Sequence, residues 1–163
     1  MEHTNPIKDK NLAKKISKGA IYCCTTIINA DGEYKEEEFN SLINLSEKND
    51  LIKTFYDRDS LKNAFMEGLN ILKTDGIDEL LRRVEFTFRD VDKNIRSHIF
   101  FSCLHIACSD RSIANKEILA LQKVYRMLNL DIDSVFMLTL LFFQSEFANK
   151  TKPVEPDKTG NKA

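Results

Sequence analysis

Residues 23–42 read CCTTIINADGEYKEEEFNSL, and residues 102–121, at a constant offset of 79, read SCLHIACSDRSIANKEILAL. Cys24 falls on Cys103, Ile27 on Ile106, Asp31 on Asp110, Glu38 on Glu117 and Leu42 on Leu121. In each copy, apolar residues at helical spacing lead into a turn opened by Asp, and a Glu seven residues later stands in the first turn of another helix. Self-similarity at a fixed offset marks a duplicated supersecondary unit. The expectation is an all-α bundle with an internal pseudo-twofold repeat.

The rest of the chain carries the same period. Ile21, Cys24, Ile27 and Ile28 form one stripe that ends at Ala30-Asp31-Gly32, with Gly as the left-handed terminator. Glu36, Glu37 and Glu38 face the positive end of the dipole of a helix bearing Phe39, Leu42, Ile43 and Leu45. Leu61, Ala64, Phe65, Gly68, Leu69 and Leu72 follow i, i+3, i+4, i+7, i+8, i+11, until Thr74-Asp75-Gly76 breaks the pattern. Ile77, Leu80, Leu81, Val84 and Phe88 resume it. Further helices are read through Val91, Ile95, Ile99, Cys103, Ile106 and Ala107, and through Ile118, Leu121, Val124 and Leu128. Asp131 or Asp133 can cap a last helix from Val135 to about Phe147. No window alternates strictly enough to compete as a strand.

Composition narrows the class. At 163 residues the chain has the length of one domain, the usual size being ~100–200. It is 42% hydrophobic and 30% charged, with five Gly and three Pro, which excludes a disordered chain and a turn-rich β-sandwich. A net charge of −1, from 24 basic and 25 acidic residues, speaks against nucleic-acid binding. The N-terminus has no apolar secretory region, and the longest apolar run, Val135–Phe143, is nine residues, where a membrane span takes ~20. A cytoplasmic protein with reduced cysteines is expected. Cys23, Cys24, Cys103 and Cys108 form no CxxC pair and read as small core residues. Residues 1–10 read as a flexible N-terminus, 11–149 as the helical domain and 150–163, polar with two prolines, as a disordered tail.

The paired turns, A-D-G followed by E and S-D followed by E between apolar helices, resemble those of the tellurite-resistance TerB family; the domain beside J-domains in a membrane-bound co-chaperone (the DjlA type) shares the pattern. The resemblance runs from about Ser17 to Val135. It implies a TerB-like bundle of about seven to nine helices. It also implies a part in bacterial responses to tellurite, other oxidants or phage, often beside a membrane protein and calcium-binding partners. The second turn departs from the family pattern: Arg111 stands where glycine is expected, and Ser112, Asn115 and Lys116 where acids are. Lys35 and Ala114, at the capping positions, are poor caps.

Two sets of residues are candidates for function. Asp31, Glu37 and Glu38, joined by Asp110 and Glu117 if the turns meet, offer the carboxylates that a divalent cation such as calcium or magnesium, less readily zinc, would need. The alternative is that Asp31 ties the turn while Glu38 and its neighbours satisfy free backbone N–H groups at the helix start. An EF-hand is excluded, because its first ligand position would be Ile27. His98, His105 and Cys108 lack the further ligands zinc requires. No phosphate loop, dinucleotide fingerprint, nucleophile elbow or HExxH occurs, so no enzyme is expected. The second candidate is the last helix, apolar nearly all round, which is either central to the core or covered by a partner. Phe136, Leu140 and Phe143 are its partner-binding candidates, for a homodimer, another protein or a membrane-protein complex that would hold the chain at the inner membrane. The expected function is that of an interaction or adaptor module in a tellurite-type stress response, with a cation-binding module as the alternative.

Overall fold

A computed structural model describes residues 9–34, 36–109 and 113–133, together with residues 135, 136, 139 and 143. Among them are seven α-helices with both ends described, further helical residues after α7, and no strand. They are α1 (Lys10–Ile28), α2 (Glu36–Lys48), α3 (Asp50–Lys53), α4 (Arg58–Thr74), α5 (Ile77–Phe88), α6 (Lys93–Ala107) and α7 (Asn115–Met127). The all-α expectation holds, with a helix count among the described residues near the expected range.

Local chemistry sets most boundaries. Asp9 caps α1 by accepting from the N–H groups of Asn11 (2.8 Å) and Leu12 (3.3 Å), so the helix begins at the end of the stretch read as loose. Asn49 caps α3, a short helix the periodicity does not announce, through Leu51 N–H at 3.1 Å. Asp57 caps α4 and Asp92 caps α6, each accepting a backbone N–H at 2.8 Å. Each such cap satisfies a donor that would otherwise lack a partner, worth about 1 kcal/mol. Gly76, at φ +85°, makes the sharp turn into α5 that a side chain would strain. Val91, read as part of the sixth helix, precedes it in a loop but is still buried.

The central element is α1. From Gly19 to Ile28 every residue is buried, and all six other helices pack against it. Ser17, Thr25 and Thr26 lie in this core with their hydroxyls satisfied. Thr25 donates to the Ile21 carbonyl (2.7 Å), Thr26 to that of Tyr22 (3.0 Å), and Ser17 reaches across to the Leu51 carbonyl of α3 (2.8 Å). Around α1 the side chains of Leu42, Ile52, Leu61, Phe65, Leu80, Phe88, Val124 and Leu128 are almost wholly excluded from solvent, and each large one contributes about 1.5–3 kcal/mol of burial.

The duplicated segments are α1–α2 and α6–α7, with the α4–α5 hairpin between them in sequence. The first helices of the two copies, α1 and α6, pack on each other, and each also touches the second helix of the other copy. Cys24 and Cys103, equivalent in the repeat, meet at the α1–α6 contact.

Candidate functional site

The first copy's turn follows α1. Asp31 is exposed, and its Oδ1 accepts the N–H of Glu33 at 3.0 Å, closing an Asx turn over Gly32, whose φ is +87°. Glu37 is exposed and Glu38 half-buried, the second and third residues of α2. In the second copy Glu117 is the third residue of α7, and its Oε2 accepts the Ala114 N–H at 2.7 Å. Asp31 thus ties its turn, and Glu117 accepts a backbone N–H at the start of α7, the role the structural alternative gives its repeat equivalent Glu38. Asp110 lies outside the described residues.

The start of α7 reaches the first copy's turn. The Lys116 ammonium donates to the carbonyl oxygen of Asp31 at 3.4 Å, bridging positions 85 apart in sequence. Lys116 is the repeat equivalent of Glu37, so the second copy supplies a cation of its own beside the first copy's acidic turn. Among the described residues no three His, Cys, Asp or Glu side chains are placed to hold a metal ion. His98 and His105 are both exposed on α6.

The cysteines behave as core residues. Cys23, Cys24 and Cys103 are fully buried, Cys108 half-buried, and none is disulfide-bonded. Burial and the neighbouring Cys24 push the Cys23 thiol up; the side-chain contact with Cys24, then burial, push up that of Cys103. Thiols so held are poor nucleophiles.

The second candidate follows α7. Residues 132, 133, 135, 136, 139 and 143 are helical, and the first hydrogen bond runs from Val135 N–H to the Asp131 carbonyl (3.1 Å), as expected for a helix opened at Asp131. Val135 packs against the core, whereas Phe136 is 61% and Phe143 41% exposed. Leu140 lies outside the described residues. Ile132, 66% exposed, joins the two phenylalanines. At about 100° per residue, positions 132, 136 and 143 fall within about 40° of one another on a helical wheel. Sequence reading began the helix at Val135 and so missed Ile132, although the i, i+4, i+11 spacing was available. No helix among the described residues is long and apolar enough to cross a membrane.

A basic cleft also escaped the sequence reading. Asn11, Lys14, Lys15 and Lys18 of α1 line it together with Tyr56, which follows α3. Lys18 pairs with Glu67 of α4 at 2.9 Å, and Glu67 also accepts a hydrogen bond from the Tyr22 phenol. Burial pushes the Glu67 carboxyl up, but the hydrogen bonds of Lys18 and Tyr22, with the charges of Lys18 and Arg83, more than offset it and hold the group below its ordinary value. The i, i+3, i+4, i+7 spacing of the four α1 residues was the signal.

Comparison of the chain with family models, curated proteins and solved structures found no match.

Proposed function

We propose that the chain is a non-enzymatic protein-interaction module that docks through the stripe formed by Ile132, Phe136 and Phe143, in a bacterial stress response of the tellurite type. The observation that carries the docking reading is the exposure of these three side chains on one helix face. Each leaves in water apolar area whose burial is worth about 25 cal/mol per Å². A helix presenting anchors at i, i+4 and i+11 suits an apolar groove on a partner protein. The doubled Asp turn, with its likeness to the TerB pattern, is the support for the stress-response setting and for a membrane-protein complex as the partner's home.

The test replaces Phe136 and Phe143 together by Glu. Circular dichroism should be unchanged, since Phe136 is 61% and Phe143 41% exposed. Sedimentation velocity over a concentration series, and pull-down from tellurite-stressed cells, should show the wild-type complex lost. Identical sedimentation and the same co-purifying proteins in wild type and variant would overturn the reading.

A further inference from the structure

The basic cleft has a volume of about 430 Å³, and its five lining residues come from two segments, α1 and the loop before α4. Asn11, Lys14, Lys15 and Lys18 share one face of α1, and the seven-residue rise between the first and last spans about 10 Å. Only Lys18 is committed, to Glu67. Among the described residues neither Lys14 nor Lys15 has an ion-pair partner. Lys14 and Lys15, both exposed and unpaired among those residues, leave a surplus of positive charge on this wall, where local potential is focused, beyond the Lys18 charge that Glu67 offsets. Tyr56 supplies the remaining wall. Its phenol, pushed up by burial and then by the Glu67 charge, stays protonated at neutral pH and can donate to an anion.

We infer that this cleft binds a small soluble molecule carrying a diphosphate group, held by Lys14 and Lys15 with Tyr56 and Asn11 as hydrogen-bond donors. The charge fits, since two uncommitted lysines oppose a ligand of at least two negative charges. The volume leaves room for two phosphoryl groups and an organic portion. Lysine acts here as a point-charge phosphate binder, which asks for no bidentate geometry. The inference is independent of the docking stripe, since no residue is shared.

Isothermal titration with inorganic pyrophosphate at low ionic strength tests it, on the wild type, on the double variant Lys14→Gln/Lys15→Gln, and on Lys62→Gln/Lys73→Gln. The last removes equal charge from exposed positions on α4. Saturable one-to-one binding is expected, weakened by about tenfold or more in the first variant and preserved in the second. Tyr56→Phe should weaken it less, by removing one neutral donor. Non-saturating heats, or equal loss in both double variants, would reduce the cleft to bulk charge and overturn the proposal. So would tight binding to phosphatidylglycerol vesicles that pyrophosphate does not compete away, which would make the surface a membrane contact. Binding of succinate as strong as that of pyrophosphate would overturn the diphosphate assignment.

Discussion

A Cβ built on Gly19 would lie 2.5 Å from Cζ and 2.8 Å from Cε2 of Phe88, so α1 and α5 touch through bare backbone. Phe88 is itself almost fully buried and has little room to retreat. Gly19→Ala is therefore expected to destabilise the fold by about 1–3 kcal/mol of overpacking, against which the better helix propensity of Ala returns at most about 1 kcal/mol. Urea unfolding of the two proteins checks this, and an unchanged or raised midpoint would show that the ring gives way. Nothing in the spacing of residues 10–28 singles out Gly19, because the crowding comes from a residue 69 positions away. Asp31 and Glu117 are the opposite case. Their partners, the N–H groups of Glu33 and Ala114, lie two and three residues away; the turn role of Asp31 was read from sequence, while the N–H acceptor read there was Glu38, the repeat equivalent of Glu117.

Between elements, Arg96 is the tie whose loss should be felt most. From near the start of α6 its guanidinium donates to the carbonyls of Leu128 (2.6 Å) and Asn129 (2.9 Å) at the end of α7, and to that of Val91 (3.0 Å). A cation there also complements the negative end of the α7 dipole. Arg96→Met keeps most of the packed stem and removes all the donors. It should cost about 1.5–3 kcal/mol, the range for hydrogen bonds to a charged group. Chemical denaturation provides the number, and a loss below about 0.5 kcal/mol would mean that water replaces the guanidinium. The helices themselves could be read from periodicity because apolar residues on one face need only neighbours three and four positions away. Arg96 was not read, since its acceptors lie 32 and 33 positions downstream.

Over the whole molecule, acid stability should depend on Glu67, which faces Lys18 and Tyr22 of the central helix from α4. Its folded pKa lies below the ordinary value of 4.5, so the unfolded chain takes up the proton first as pH falls. The stabilisation is complete above about pH 4.5 and is lost as pH falls through the folded value. Glu67→Gln is expected to lower the melting temperature at pH 7 and to narrow its gap to wild type below pH 4. Parallel melting curves from pH 7 to pH 3 would exclude the linkage. The magnitude is small, because the pair is about half-exposed and screened by solvent.

Sequence alone determined that the chain is helical, where most helices begin and end, that Asp31 and Glu117 sit in paired turns, and that Phe136 and Phe143 belong to an apolar segment. These properties rest on periodicity, capping and turn chemistry, which act within about one helical turn. The tertiary structure alone decided that α1 occupies the centre of the described residues. It also decided that Lys116 meets the Asp31 turn, that Ile132 is exposed along with Phe136 and Phe143, and that Lys14 and Lys15 share a cleft with Tyr56. An apolar or charged face specifies what kind of neighbour it prefers. Which neighbour it gets is settled by how all the helices share one limited core.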